Sequence, residues 1–173
     1  MTPADRAAVI ALGSNIGDRR DILQGAVDAI EGISGVRLTA SSPVYETVPV
    51  GGPQQPDYLN AVVLADITIS PRVLLDQLHE VEAAFDRVRV VRWGPRTLDI
   101  DIITVAGEHS DDPDLTLPHP RAHERAFVLA PWHDADPDAV LPGYGPVAGL
   151  LAAADQTGIR RSRVPLVLQE AES

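Results

Sequence analysis

Residues 58–85 read YLNAVVLADITISPRVLLDQLHEVEAAF. The first twelve form the longest β-rich run of the chain, with Val62 and Leu64 on one face and Val63, Ala65 and Ile67 on the other, the alternation of a strand. Ser70-Pro71 then predicts a helix start, with serine as cap and proline at the first helical position. Leu74, Leu78, Val81 and Phe85 follow on a single helical face. A strand running directly into an amphipathic helix is a building block of mixed α/β folds.

Working outward, AAVIAL (7–12) is a short apolar run that ends in GSNIGD, a strand and its turn. From Asp18 the period changes: Ile22, Leu23, Ala26, Val27 and Ile30 share a helical face, and Gly32 marks the stop. VRLTASSPVYET (36–47) reads as one exposed or edge strand, and GGPQQP (51–56) as a loop. Downstream, TLDIDIITV (97–105) is a strand closing at Ala106-Gly107. The order β-α-β-β-α-β predicts an α/β (α+β) fold of the ferredoxin-like, split-βαβ kind: a largely antiparallel sheet with helices packed on one face. Short helices are expected from about Phe127 and from about Pro146. The chain of 173 residues is expected to form a single domain (1–173), its core at about 7–155 and its tail, 164–173, peripheral.

Composition removes several kinds of chemistry. All 14 basic residues are arginine, so neither a P-loop lysine nor a protein-kinase β3 lysine is available. There is no cysteine, which excludes disulfides, a thiol nucleophile and cysteine-ligated zinc. The formal charge of −11 gives no support to nucleic-acid or membrane-surface binding. The N-terminus has no signal-peptide pattern, and no apolar run approaches the roughly 18 residues of a membrane span. A soluble cytoplasmic protein is expected.

Within this acidic chain, residues 86–96 (DRVRVVRWGPR) invert the charge, with Arg87, Arg89, Arg92 and Arg96 against Asp86 alone. Arginine forks suit phosphate oxygens. β-branched residues alternating with arginine, and a Gly-Pro end, fit a mobile loop that closes as a lid over a nucleotide. Asp99 and Asp101 follow at once. On a strand they share a face, about 6.6–6.8 Å apart, with Leu98, Ile100 and Ile102 turned to the core. Alone, a D-x-D pair is more often the polar side of a half-exposed strand. Beside four arginines it suits Mg²⁺, which takes one or two protein carboxylates and substrate phosphates.

Other motifs are weaker. HPRAHERAF (119–127) places two histidines at i, i+4, but Glu124 follows the second instead of lying between them, so zinc ranks below a phosphate-facing reading of His and Arg. GSNIG (13–17) lacks the Lys-Ser/Thr of a phosphate loop and reads as a turn. Tyr58, Trp93 and Phe127 stand beside polar groups such as Asn60 and Arg125, a combination suited to a planar hydrogen-bonding heterocycle, although each aromatic singly is more often core.

The stretch RWGPRTLDIDII resembles the signature of the 6-hydroxymethyl-7,8-dihydropterin pyrophosphokinases of folate biosynthesis. ALGSNIGD, YET, QPDYLNAV, FDRVR and LPHPRAHERAFVLAP occur in the family's order, over about residues 8–155. The resemblance implies a ferredoxin-like enzyme that transfers the terminal pyrophosphoryl unit of ATP to the pterin hydroxymethyl group and releases AMP. It implies two Mg²⁺ ions on Asp99 and Asp101. Arg87 and Arg96 would act in catalysis with that pair, and Arg87, Arg89, Arg92, Arg96, His119 and Arg125 would face the phosphates. Glu82, Trp93, Ile102 and Thr116 would complete the ATP site. The pterin would lie between Tyr58 and Phe127, near Trp93 and Asp99, with Asn60 and the segment Thr47, Val48 and Val50 reading its amide edge. Pro120 and Asp114 stand where some members carry tyrosine and arginine; Arg121 and His123 receive no role. A monomer acting on small molecules is expected, with neither nucleic acid nor membrane as partner.

In-line attack at phosphorus needs positioning and charge neutralisation more than a dedicated base. Arg96→Ala is therefore expected to slow turnover roughly a hundredfold. Two rival readings compete. A non-catalytic ferredoxin-like sensor leaves the D-x-D pair without a purpose. A metal-dependent phosphohydrolase gives Tyr58, Asn60 and Phe127 no ligand.

Overall fold

A computed structural model of the chain describes residues 5–14, 19–47, 58–86 and 98–162. Its first elements are β1 (Arg6–Ser14), α1 (Arg19–Glu31), β2 (Val36–Ser41), β3 (Tyr45–Thr47), β4 (Tyr58–Ile67), α2 (Pro71–Asp86) and β5 (Asp99–Val105). There follow β6 (Ser110–Asp112), β7 (Leu115–Leu117), a 3-10 turn at Ala122–Glu124, α3 (Ala126–Ala135), β8 (Val140–Leu141), β9 (Gly145–Pro146), α4 (Val147–Ala153) and β10 (Ile159–Arg161). The main sheet runs β10-β3-β4-β1-β5, with β2 also on β4, and every pairing in it is antiparallel. This is the ferredoxin-like arrangement the element order predicts.

The helices form where the apolar spacing places them. Leu23, Ala26, Val27 and Ile30 of α1 and Leu74 and Leu78 of α2 are fully buried against Ala8, Ile10, Leu12, Ala61, Val63 and Ala65 of the sheet. The Ser70 hydroxyl accepts the Val73 amide at 3.2 Å, capping α2 as its sequence requires. Gly25 lets the two helices approach closely: a Cβ there would stand 2.9 Å from Cζ of Phe85. Among the described residues no helix is long and apolar enough to cross a membrane.

Three features depart from the sequence reading. Residues 36–47 are two strands, because Pro43 has no amide hydrogen for the ladder. At the break Ser42 serves Val62 twice: its amide donates to the Val62 carbonyl and its hydroxyl accepts the Val62 amide, both at 2.9 Å. Second, helices cover both faces of the sheet. α3 and α4 bury Val9, Val62 and Ile103 beneath Val128, Leu129, Trp132 and Val147. Third, the β1–β5 register slips, from Val9 opposite Thr104 to Ile10 opposite Ile102. Ile103 is the extra residue of a β-bulge, and its carbonyl accepts the amide of His119 at 2.7 Å. Bulges of this kind re-aim chains beside functional sites.

Candidate active site

Ladder partners in an antiparallel sheet share a face, so the pairings alone assemble a floor. One row runs Arg161, Tyr45, Asn60, Gly13 and Asp99 across β10, β3, β4, β1 and β5. Beside it lie Ile159, Thr47 and Tyr58, and on the other side Val62, Ala11 and Asp101. This is the α3 side of the sheet. Five strands at about 4.8 Å spacing make the floor roughly 19 Å wide. α3 covers only part of it, and the remainder is a cleft of about 710 Å³.

Asn60 is 8% exposed, and its side-chain oxygen accepts the Thr47 hydroxyl at 2.9 Å. The amide nitrogen lies over Gly13, where a Cβ would come within 2.9 Å of it. Any larger residue at 13 would push this amide out of place. Phe127, on the first turn of α3, lines the roof, and the Arg125 guanidinium lies 5.5 Å from its ring centroid. That is cation–π distance.

Asp99 is exposed and Asp101 half-buried at the β5 side of the cleft. Glu82 reaches the same strand from α2, its carboxylate accepting the Ile100 amide at 2.9 Å. His119 is held near this end by its bond to the bulge carbonyl. Burial and then Arg125 pull its pKa below the usual imidazole value, with Asp99 opposing. Its Nδ1 accepts the Arg121 amide at 3.2 Å, which leaves the proton of the neutral ring on Nε2 as a donor.

Of the residues the sequence singles out, Thr47, Tyr58, Asn60, Asp99, Asp101, Arg125 and Phe127 line this one cleft. Ile102 is instead a core residue, 5% exposed. The Thr116 hydroxyl donates to the Asp112 carbonyl inside the β6–β7 hairpin, at 3.0 Å. Val48, Val50, Arg87, Arg89, Arg92, Trp93 and Arg96, and with them the expected lid, lie outside the described residues. The cleft also takes in residues the sequence reading passed over: Ala11, Gly13, Arg121, Glu124, Asp155, Thr157 and Ile159. Only the closeness of GSNIG to the strand end hinted at Gly13. Arg121 pairs with Glu124 at 2.8 Å, and His123 stacks on Tyr144, ring centroids 4.2 Å apart.

Two same-face carboxylates fit a hard divalent cation. Among the described residues no group of three or more His, Cys, Asp or Glu could enclose a metal ion. Among the described residues the oxygen donors come from β5 alone, a donor set that suits Mg²⁺ shared with phosphate and water.

Fold and cleft together define a ferredoxin-like domain with an open, partly polar cleft of small-molecule size. Residues 9–137 match the model of the 7,8-dihydro-6-hydroxymethylpterin-pyrophosphokinase (HPPK) family. The 2-amino-4-hydroxy-6-hydroxymethyldihydropteridine pyrophosphokinase of Pseudomonas aeruginosa is 43% identical over 152 residues, covering 88% of this chain and 94% of its own. The enzyme of the same name from Mycobacterium tuberculosis H37Rv is 45% identical over 171 residues, covering 90% and 89%. Among solved structures, wild-type Plasmodium falciparum HPPK-DHPS with pterin and p-hydroxybenzoate superposes with a TM-score of 0.67 at 17% identity. The match covers 87% of this chain and 43% of that one, so this chain spans less than half the length of the HPPK-DHPS chains it resembles. The chain belongs to the 7,8-dihydro-6-hydroxymethylpterin-pyrophosphokinase family. Its reaction is transfer of pyrophosphate from ATP to the hydroxymethyl group of the dihydropterin, a step of folate biosynthesis.

Proposed function

We propose that the cleft on the α3 side of the sheet is the centre of this reaction, with its work divided along the floor. At the β5 end Asp99 and Asp101 would hold the Mg²⁺ ions, two by this reading, that accompany the polyphosphate. The bound ions would supply charge neutralisation and acidify the attacking hydroxyl. His119, through Nε2–H, and Arg125 donate to phosphate oxygens from the α3 side. Arg87, Arg89, Arg92 and Arg96 approach the same oxygens from the segment before β5, with Arg87 and Arg96 stabilising the charge that develops on transfer. Trp93 and the backbone beside Ile102 flank the nucleotide. Glu82 steadies the strand by its bond to Ile100, and Thr116 lies at the far margin.

In the middle of the floor the pterin ring lies between Tyr58 and Phe127. Asn60, oriented by Thr47, reads the amide edge together with the backbone of Thr47, Val48 and Val50. This order along one ladder row brings the hydroxymethyl group toward Asp99 and turns the amide edge toward Thr47. The single observation that carries the reading is the row itself: Asn60, Gly13 and Asp99 stand in ladder register on one face. The chain works as one domain and as a monomer; the tail, 164–173, lies outside the described residues.

The deciding experiment follows the nucleotide by chromatography, with purified protein, Mg²⁺, ATP and 6-hydroxymethyl-7,8-dihydropterin. AMP should form only when pterin is present and should be lost in Asp99→Ala. An Asp99→Ala variant that still forms AMP at the wild-type rate overturns the metal assignment.

A further inference from the structure

We propose that Asp134 is a positioning residue for the pterin, latching the roof of the slot to its floor and thereby setting the gap that receives the ring. The proposal rests on the reading of Tyr58 and Phe127 as the walls of that slot. Asp134 lies seven residues beyond Phe127 on α3, two helical turns along the same face and about 10 Å away. Its Oδ2 accepts the hydroxyl of Tyr45 on β3 and, at 2.8 Å, the Arg161 guanidinium on β10. The Asp134 side chain is only 18% exposed whereas that of Arg161 is 59% exposed, so the bond to Tyr45 is the more sheltered of the two. Arg161 also lies over the Tyr45 ring, 5.9 Å from its centroid.

Three elements meet at this carboxylate, and each carries a wall of the slot. α3 bears Phe127, β3 bears Thr47 two residues after Tyr45, and β10 bears Ile159 two residues before Arg161. The apolar cluster beneath α3 cannot do this work. Its sheet residues come from β1, β4 and β5, and among the described residues it includes none from β3 or β10. Apolar packing therefore seats the roof mainly on β4, in the middle of the floor, and Asp134 ties it to β3 and β10, the half where the amide edge is read. β3 itself is three residues long, held between β4 and β10. Arg160 also binds Glu46, so the strand that carries Thr47 is clamped on both sides. Burial and the bond to Asp134 push the Tyr45 phenol above its usual pKa, so it remains a donor through the neutral range.

The test measures pterin affinity without nucleotide by fluorescence titration, then KM for each substrate and kcat. Asp134→Ala should weaken pterin binding about tenfold. KM for ATP should stay within about twofold and kcat at saturation within about threefold. Tyr45→Phe removes one of the two bonds and should weaken pterin binding about threefold, with no further loss when added to Asp134→Ala. A folded Asp134→Ala protein that binds pterin as the wild type does, or that loses ATP and pterin affinity in parallel, overturns the latch. If Asp134→Ala does not fold, Tyr45→Phe decides, and unchanged pterin affinity there overturns it equally. Phe127→Ala separates this proposal from the one beneath it. Pterin binding untouched by Phe127→Ala sinks the slot reading, whereas loss in Phe127→Ala but not in Asp134→Ala sinks the latch alone.

Discussion

The two faces of the sheet are built from alternate residues of the same strands, yet they have different fates. On the α1–α2 face, Ala8, Ile10 and Leu12 of β1 are all buried under helices. On the α3 face the series is Val9, Ala11 and Gly13, falling in size toward the cleft. β4 and β5 change in the same direction, from Val62 and Ile103 to Asn60 and Asp99. One face is filled because every position offers apolar area that helices can cover. The other is half filled, because small and polar residues leave the roof helix nothing to bury and the floor open to a ligand. The cleft here comes from stopping the core partway along a strand.

The largest effect expected from breaking that contrast lies at the open face. Asp99→Ala should lower kcat about a thousandfold, equivalent to about 4 kcal/mol of transition-state stabilisation. Because Asp99 is exposed, the urea midpoint should scarcely move. The filled face should behave in reverse. Ile10→Ala, at a site with 0% exposure, should cost about 2–5 kcal/mol of stability, read by urea unfolding, while the KM values of the folded fraction hold.

Gly13→Ala tests the border between the two regimes. The added methyl meets the Asn60 amide, which can shift toward the open cleft, so stability should change by no more than about 1 kcal/mol. KM for the pterin should rise about tenfold with kcat less affected. A Gly13→Ala enzyme with wild-type KM would separate Asn60 from pterin recognition.

The smallest effect concerns pH. The folded protein holds His119 below the usual imidazole pKa, chiefly by burial and then by Arg125. As pH falls through about 6.5, the unfolded chain takes up this proton before the folded one. The contribution of His119 to stability is therefore complete above about pH 6.5 and declines toward the lower folded value. Urea midpoints of the wild type should drop between about pH 7 and pH 5 more than those of His119→Gln. Equal slopes would mean that the imidazole titrates alike in both states.

How far the molecule was legible in its sequence follows the range of the forces involved. The faces of α1 and α2, the Ser70 cap and the alternation of β4 are set by neighbours within a turn or two, and all stand as their spacing requires. Asp99 and Asp101 share a face because residues i and i+2 of any strand do. The break at Pro43 was also written locally, and reading 36–47 as one strand overlooked the missing amide hydrogen.

Other features have no local signature. The bulge at Ile103 exists only because β5 must pair with β1 while its carbonyl meets His119. Gly13 beneath Asn60, and Asp134 between Tyr45 and Arg161, join residues 47, 89 and 27 positions apart. The short strands after β5 went unread. The sequence by itself determined the elements from β1 to β5, their order and the residue types able to meet a phosphate, a cation and a flat ring, because these follow from periodicity and side-chain chemistry. Tertiary structure alone decided that they share one half-open face and how wide its slot stands. Register across five strands and the seating of α3 are non-local contacts, fixed only when the whole sheet closes.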